Sequence, residues 1–257
     1  MTKPINKCSD TAFVVVSCDK YSALWDPFFK CLTKYWPDCP FDKFLVSNHL
    51  DLSDKNVVVV KIGEDKSYSD NLRLALEKID YDWIILWLDD VFIADTVDTG
   101  RLLHILEHVK RRGAGYLKLA ADMPMAYKPD PGEEVGQLPK GIKYRSAIGC
   151  SLYRKITLLK LLTPNASAWD LDRSKIADHL DEPFYALTPS SSKNPPIKYS
   201  HLLVKGRWLV DSLPFMWREN LHDLLGLREM QSVREYIYAK MYLTRLYFYR
   251  LFKVYWK

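Results

Sequence analysis

Residues 83–92 constrain the fold of this chain more than any other stretch. Six apolar residues, Trp-Ile-Ile-Leu-Trp-Leu, lead directly into two adjacent carboxylates, Asp89 and Asp90. An apolar run this short predicts a strand that is buried on both faces of a parallel sheet, with the carboxylates at its C-terminal end. Ligands of open α/β sheets bind at that edge, and two neighbouring carboxylates there favour a positive partner. The alternative is a turn in which Asp89 caps the next segment and Asp90 is solvated.

Apolar runs and helical spacing elsewhere predict that this strand belongs to a mostly parallel central sheet flanked by helices. Before it, the patterns predict strands at 12–17, 44–48 and 57–62, and helices at 23–36 and 71–79, the second capped by Ser69 or Asp70. After it, they predict a helix at 101–112, a strand at 115–119, a long loop at 120–143, a strand at 144–153 and a helix at 154–162. Further along, they predict a helix at 175–180, a loop at 186–197 and a hairpin that turns at Lys205-Gly206.

The composition argues against several classes of protein. The chain has 257 residues, of which 48% are hydrophobic and 27% charged, as is usual for a globular domain. Its 5 cysteines form no Cys-x-x-Cys pair, so neither a zinc site nor a disulfide framework is predicted. The first residues lack the apolar core of a signal peptide, and no run of about 20 apolar residues predicts a spanning helix. We therefore expect a cytoplasmic protein.

Basic and aromatic residues are concentrated at the C-terminus. Residues 228–257 contain seven basic and two acidic residues, which accounts for the net charge of +5 and leaves residues 1–227 neutral. No Pro or Gly follows Gly226, so a long helix is predicted. Because Tyr and Trp favour the membrane interface and Lys and Arg attract anionic headgroups, we interpret 228–257 as an anchor on an anionic membrane surface. The alternatives are packing on protein and a nucleic-acid patch, and we expect no nucleic acid. This divides the chain into a domain at 1–213 and a helical segment at 214–257.

The polar loop after the first predicted strand is a candidate nucleotide site. It contains Ser17, Asp19 and Tyr21. The end of the first parallel strand is a usual place for a nucleotide in α/β folds. The alternative is a plain connecting loop in which Asp19 or Ser22 caps the next helix.

A second acidic group, Asp170 and Asp172, lies in the segment Ser-Ala-Trp-Asp-Leu-Asp-Arg-Ser. If this segment is extended, the two carboxylates point to the same side, because side chains alternate along extended chain. The alternative is that Asp172 or Ser174 caps the helix predicted at 175–180.

Six segments in this order and spacing make the chain resemble a bacterial GT-A fold glycosyltransferase. Leu-Asp-Asp-Val-Phe at 88–92 matches the Asp-Asp-x-Phe form of the family's Asp-x-Asp metal motif, and Val-Val-Ser-Cys-Asp-Lys-Tyr at 15–21 resembles its nucleotide loop. The other segments are Ser-Asp-Asn-Leu-Arg-Leu-Ala-Leu at 69–76, residues 145–155, Trp-Asp-Leu-Asp at 169–172 and Gly-Arg-Trp at 206–208. The likeness is to the family-2 enzymes of surface-polysaccharide synthesis. The sequence departs from the family in having Asp-Asp-Val in place of Asp-x-Asp, which leaves open the carboxylate that binds metal.

The resemblance implies a single GT-A-like (Rossmann-like) domain that moves a sugar from a nucleotide-sugar donor to a glycan or lipid-linked acceptor. Transfer would invert the anomeric carbon and serve capsule, O-antigen or lipopolysaccharide synthesis. It would take place at the inner face of the cell membrane, with the protein bound peripherally there.

The resemblance also implies roles for single residues. Mn²⁺ or Mg²⁺ would bind Asp90. Asp89 would contact the ion directly or through water, and His201 would be a further contact. The alternative for His201 is a hydrogen-bonded strand histidine. Asp172, or in second place Asp170, would be the base that takes the acceptor proton. The nucleotide sugar would contact Ser17, Asp19, Tyr21, Asp70, Asn71 and Asp89.

Two other functions are compatible with the sequence. A nucleotidyltransferase acting on sugar phosphates can share the sheet and the acid pair, although such enzymes more often have a Gly-rich phosphate loop and residues 17–22 contain no Gly. The other is a non-catalytic, membrane-associated assembly protein that keeps the GT-A-like fold.

Overall fold

A computed structural model describes residues 10–119 and 128–255 of the chain. The strands in these ranges are β1 (Thr11–Val16), β2 (Asp42–Ser47), β3 (Val57–Lys61), β4 (Trp83–Leu88), β5 (Val91–Ile93), β6 (Tyr116–Lys118), β7 (Lys128–Pro129), β8 (Val135–Gln137), β9 (Ser151–Arg154), β10 (Phe184–Leu187), β11 (Tyr199–His201), β12 (Leu203–Val204) and β13 (Arg207–Trp208). The α-helices are α1 (Trp25–Tyr35), α2 (Tyr68–Lys78), α3 (Thr99–Arg111), α4 (Lys155–Leu161), α5 (Ala168–Arg173), α6 (Leu213–Arg218) and α7 (Val233–Tyr255). Short 3₁₀ helices span Asp19–Leu24, Ile176–His179, Ser191–Lys193, Val210–Ser212 and His222–Leu227.

The large sheet has the strand order β3-β2-β1-β4-β9-β6-β10-β8-β7. Strands β3, β2, β1 and β4 are parallel to one another, whereas β9 is antiparallel to both β4 and β6. Beyond β9, β6 and β10 are parallel, and β8 and β7 complete the edge antiparallel. The predicted α/β sheet flanked by helices is therefore confirmed, and its parallel half ends in the acid pair.

Helices cover both faces of the sheet, so β4 is buried on both sides, as its apolar run predicts. Ile85 and Trp87 join a core cluster with residues of α1 and α3, while Ile84 and Leu86 join a second cluster with α2 and α4. On the first face, the ring centroids of Trp87 and Phe13 lie 5.4 Å apart. A strand with no solvated face has no place for alternating polar residues, which explains the uninterrupted sequence.

The cap of α2 differs from the prediction. The helix begins at Tyr68, and Ser67 Oγ accepts a hydrogen bond from the backbone N of Asp70 at 3.1 Å. The predicted caps, Ser69 and Asp70, are therefore wrong. Ser67 is the cap because its backbone is extended, at φ −108° and ψ 162°, so its hydroxyl can reach back to the first turn.

Helix α5 replaces the extended segment that was predicted around Asp170 and Asp172. Ser167 Oγ accepts from the backbone N of Asp170 at 3.3 Å, and Asp170 Oδ2 accepts from the backbone N of Ser167 at 3.0 Å. This reciprocal capping box satisfies two amides at the helix start and outweighs the extended alternative. Because residues two apart in a helix differ by about 200° around its axis, the two carboxylates point to different sides.

Several other boundaries in the second half also differ from the prediction. The strand predicted at 144–153 shortens to β9, because Tyr144 and Cys150 have φ of 58° and 45°, which is incompatible with a pleated strand. The loop predicted at 186–197 begins later, since β10 occupies its first residues. Of the loop predicted at 120–143, residues 120–127 lie outside the described ranges and the rest contains β7 and β8. The hairpin at Lys205-Gly206 is confirmed, and both residues have positive φ.

The long C-terminal helix is confirmed, and α7 is attached to the body. Leu246 is buried in the second core cluster, and the hydroxyls of Tyr144 and Tyr242 lie 2.5 Å apart. Before the helix, Phe215 and Met216 belong to the first core cluster, so the core continues past the predicted boundary at residue 213. No helix within the described ranges is long and apolar enough to cross a bilayer.

Candidate active site

The candidate site begins with the register of two adjacent parallel strands. Val16 of β1 pairs with Leu88 of β4 at the C-terminal edge, so the residues that follow, Ser17 and Asp89, come together. Ser17 Oγ donates to Asp89 Oδ2 and accepts from Trp25 Nε1 at 2.6 Å. These contacts hold the Asp89 carboxylate in one orientation, with only 7% of the residue exposed.

Two further hydrogen bonds fix the turn that carries Asp89 and Asp90. The indole Nε1 of Trp87 donates across the turn to the carbonyl of Val91 at 2.5 Å. The backbone N of Leu202 donates to the carbonyl of Asp90 at 2.8 Å, next to the antiparallel pairing of β11 with β5. The backbone of the acid pair is therefore set by the protein itself, without help from a ligand.

The carboxylates of Asp89 and Asp90 are costly to ionise. Burial raises the pKa of Asp89 well above its usual range, and the negative charge of Asp90 raises it further. Burial also raises the pKa of Asp90 to about 6. The hydroxyl of Ser17 lowers the pKa of Asp89, and the positive charge of Arg228 lowers the pKa of both carboxyls. A pair with these properties favours a cationic partner.

Tyr21 and Arg228 lie beside the acid pair. The Arg228 guanidinium stands over the Tyr21 ring, with Cζ 4.2 Å from the ring centroid. Burial raises the pKa of Tyr21, Arg228 lowers it, and the charges of Asp89 and Asp90 raise it again, so the phenol is close to all three. The structure thus brings Ser17 and Tyr21 to the acid pair, and it adds Arg228. In the sequence, Arg228 is one of the seven basic residues at 228–257, and no pattern distinguishes it from the other six.

Tyr68 is a buried phenol on which the charges of Asp172 and of the acid pair all act. Its hydroxyl is buried and has no hydrogen-bond partner among the described residues. Burial raises the pKa of Tyr68 well above its usual range, and the charges of Asp172, Asp89 and Asp90 add to this effect. A buried hydroxyl without a partner costs about 1–3 kcal/mol, and each such group calls for an explanation, of which a bond to a ligand is one. No sequence pattern distinguishes Tyr68.

Asp172 is oriented by the chain that leads into β9. Its Oδ1 accepts a hydrogen bond from the backbone N of Ile148 at 2.5 Å. Its negative charge raises the pKa of Tyr153 as well as that of Tyr68, which places the carboxylate beside both buried phenols. Asp172 is half-buried, and its charge and those of the acid pair all act on Tyr68.

Asp19, a predicted nucleotide contact, holds two loops together instead of presenting a free carboxylate. Its carboxylate oxygens accept hydrogen bonds from the backbone N of Asn48 at 3.0 Å and of His49 at 3.1 Å. The side chain of Asn48 in turn accepts from the backbone N of Asp19 at 3.1 Å. This clasp joins the loop after β1 to the loop after β2.

Three other predicted site residues have their polar atoms engaged locally. Asp70 Oδ2 accepts from Ser67 Oγ at 2.6 Å and from the backbone N of Asn165 at 3.1 Å. The side chain of Asn71 donates to Asp65 Oδ1 at 2.6 Å. Asp170 is occupied in the capping box of α5. These hydrogen bonds of the three side chains start helices and tie loops, and none of them reaches Asp89 or Asp90.

Asp89 and Asp90 are the candidate ligands for a divalent cation. In the described parts of the chain, no group of three or more His, Cys, Asp or Glu side chains is placed to hold a metal. His201 does not complete such a set; it is exposed, and its ring lies 5.2 Å from that of Tyr199. Two adjacent carboxylates, one buried and one half-buried, fit Mg²⁺ or Mn²⁺, because these ions often bind one or two carboxylates and take their other ligands from phosphates and water.

Comparison with known proteins gives information on the fold alone. No protein-family model and no curated protein matches the chain. Among solved structures, TarS of S. aureus has a TM-score of 0.51 at 12% identity, covering 95% of this chain and 43% of that TarS chain. A shorter TarS fragment in complex with UDP has a TM-score of 0.50 at 12% identity, covering 95% of this chain and 72% of the fragment.

A nucleotidyl transferase from Methanothermobacter has a TM-score of 0.45 at 16% identity, covering 72% of this chain and 90% of its own. The chain spans less than half the length of full TarS, and identities this low carry no information on activity. What the TarS structures share with this chain is the arrangement of the sheet and its helices. The chain therefore has a GT-A-like fold, as its sequence predicts.

Proposed function

We propose that the protein is a glycosyltransferase that moves a sugar from a nucleotide-sugar donor to a glycan or lipid-linked acceptor. The observation that carries the proposal is the acid pair at the C-terminal end of β4, with Asp89 hydrogen-bonded to Ser17 after β1, in a GT-A-like fold. In α/β sheets this edge binds the ligand, and the UDP in the TarS fragment supports a nucleotide as that ligand.

Two sets of side chains would divide the work. Asp90, with Asp89 beside it, would hold Mg²⁺ or Mn²⁺, which when bound supplies positive charge against the departing diphosphate. Asp172 would accept the proton of the acceptor hydroxyl while that oxygen bonds to the anomeric carbon and the bond to the diphosphate breaks. Attack from the side opposite the diphosphate inverts the anomeric carbon, which product stereochemistry by NMR tests. The hydroxyl of Tyr68, which is buried and has no partner among the described residues, would donate to the bound sugar.

The first test is a thermal-shift screen of nucleoside diphosphates and nucleotide sugars with and without Mn²⁺. A donor at about 100 times its Kd stabilises the folded state by about 2.7 kcal/mol, which raises Tm by about 5–10 °C for a chain of this size. We expect at least one nucleotide sugar to do so, with a larger shift when Mn²⁺ is present.

A transfer assay then separates the proposal from its rival. Release of a nucleoside diphosphate and a glycosylated acceptor supports glycosyl transfer. Formation of pyrophosphate from a nucleoside triphosphate and a sugar phosphate would instead identify a nucleotidyltransferase. The absence of a shift with every nucleotide would point to the non-catalytic assembly protein.

We further propose that α7 lies on an anionic membrane surface, which suits a lipid-linked acceptor and a peripheral position at the inner face of the membrane. Four large apolar side chains share one stripe of this helix, since at about 100° per residue they fall within about 60° of one another. They are Ile237, Met241, Phe248 and Phe252, each more than half exposed. Exposed Arg234 and Arg245 border the stripe, and Leu246 on the opposite side faces the body. Apolar side chains with arginines along one edge suit a layer of anionic headgroups.

Binding to vesicles tests this surface. Ile237→Glu should weaken binding to vesicles that contain phosphatidylglycerol by about tenfold or more, because it removes the burial of one large apolar side chain. The matched control is Ile156→Glu on α4, where Ile156 is 54% exposed against 53% for Ile237. Co-sedimentation measures both variants. Equal loss in the two variants, or no binding by the unaltered protein, would contradict the assignment.

A further inference from the structure

Arg228 departs from the other basic residues of its segment. Its Nη2 donates to the backbone carbonyl of Lys20 at 2.9 Å, and its guanidinium covers the Tyr21 ring at 4.2 Å. A Cβ built on Gly206 would lie 3.8 Å from Arg228 Nη1 and 3.9 Å from the Tyr21 hydroxyl, so the hairpin turn closes over the same pair. The side chain is therefore fixed among the loops that surround the acid pair.

The backbone on both sides of Arg228 is also anchored. The backbone N of Trp208 donates to the carbonyl of Glu229 at 2.9 Å, and the backbone N of Gln231 donates to the carbonyl of Trp208 at 2.8 Å. The indole of Trp208 is fully buried, so this attachment is to the core and not to a surface loop. Both the backbone and the plane of the guanidinium are thus held before any ligand is bound.

The charge of Arg228 remains unneutralised at close range. Within the described ranges, its polar partner is a backbone carbonyl, and no carboxylate comes within ion-pairing distance. The same charge nevertheless reaches Asp89, Asp90 and Tyr21, whose pKa values it lowers. A guanidinium has five N–H donors in a rigid fork, and one of these five has an acceptor here. A planar, pre-oriented arginine with open donors is suited to bidentate recognition of phosphate.

We propose that Arg228 binds the diphosphate of the nucleotide-sugar donor, with Tyr21 as the surface that keeps its guanidinium flat. This inference rests on the proposed function. A divalent cation on Asp89 and Asp90 would balance those two carboxylates and leave the diphosphate's own charge in excess, which favours a second cation. Arg228 supplies it, as a binding and positioning residue that touches the leaving group.

Calorimetry with Arg228→Met tests the assignment. Calorimetry measures the binding of ADP, CDP, GDP, UDP and dTDP, each with Mn²⁺. The nucleoside of the diphosphate that binds best is measured by NMR titration, because nucleosides bind weakly. We expect Arg228→Met to lose about 10- to 100-fold in affinity for the diphosphate, the range of a charged hydrogen bond, and to keep the wild-type affinity for the nucleoside. Arg228→Lys should recover part of the loss, since it restores charge but not the planar fork.

Arg111→Met is the matched control, because it removes the same charge from a side chain that is 61% exposed and has no role in the proposed site. It should bind both ligands as the unaltered protein does. Unchanged diphosphate affinity in Arg228→Met overturns the inference, and so does an equal loss for diphosphate and nucleoside, which marks a purely structural arginine. If the unaltered protein binds none of the five diphosphates, the proposed function fails, and the inference fails with it.

Discussion

Asp90→Asn reduces sugar transfer by at least about 100-fold and, at neutral pH, makes the ligand-free protein more stable than wild type. The loss of activity is expected because the amide carries no negative charge with which to hold a divalent cation against the diphosphate. The gain in stability is expected because the ionised carboxyl is held in a buried place beside Asp89, where its charge is unfavourable. Opposite effects on rate and stability are typical of a residue kept for function.

The stability gain depends on pH in a defined direction. In the folded protein Asp90 holds its proton up to a pKa of about 6, whereas the unfolded chain releases it near the ordinary value of 3.8. Raising the pH through that window therefore favours unfolding, and the stability of the wild type falls between about pH 4 and pH 6. The difference between the two pKa values corresponds to about 3 kcal/mol at neutral pH. Asp90→Asn should flatten this part of the curve.

Urea unfolding of the ligand-free protein from pH 4 to pH 8, together with a transfer assay, measures both effects. Asp223→Asn is the matched control, since its side chain is 93% exposed and should change neither. Mn²⁺ should stabilise the wild type more at pH 7.5 than at pH 5, because it competes with protons for the pair, and it should not stabilise Asp90→Asn. A variant that loses stability, or keeps full activity, would remove Asp90 from the site.

The second large effect is expected from Asp172→Asn, with a fall in kcat of about 100- to 10,000-fold, the usual contribution of a general base. The substitution keeps an oxygen that can accept from the backbone N of Ile148, so the loop before β9 should stay in place. Affinity for the donor should therefore be unchanged. Single-turnover kinetics and calorimetry with the same nucleotide sugar separate the two quantities.

Asp170→Asn is the informative comparison, because it makes the same replacement of a carboxylate by an amide at the neighbouring acidic residue. Asp170 is exposed and serves the capping box, so its rate should stay close to wild type. A large loss of rate in Asp170→Asn together with normal rates in Asp172→Asn would reverse the assignment. Loss of donor affinity in Asp172→Asn would show that the residue supports the structure of the site and is not a base.

The parallel half of the sheet could be predicted from the sequence because its signals are local. The run from Trp83 to Leu88 and the run after Thr11 are apolar on both faces, and burial on both faces is what the structure shows. The acid pair then follows from its position at the end of β4. Ser17 could be predicted for the same reason, since adjacent parallel strands end at the same edge.

The remainder of the site depends on contacts between distant parts of the chain, which no local pattern records. The partner of Asp90, Leu202, lies between the short strands β11 and β12, which have no strong apolar signal. Arg228 resembles any other basic residue of its segment. The helix around Asp170 does have a local signal. The capping box of Ser167 and Asp170 is present in the sequence, and it favours a helix over the extended chain in which Asp170 and Asp172 would point to the same side.

The hydrogen bond from Leu202 to Asp90 has a consequence for the order in which the protein forms during synthesis. Strands β1 to β4 emerge from the ribosome early and can pair with one another at once. The strand that completes the acid turn, β11, follows much later, and Arg228 later still. Closing so long a loop is slow relative to pairing neighbours, so the candidate site takes its final shape near the end of folding. We therefore expect a nascent chain to form the parallel sheet while Asp89 and Asp90 are still in water, where burial does not raise their pKa values.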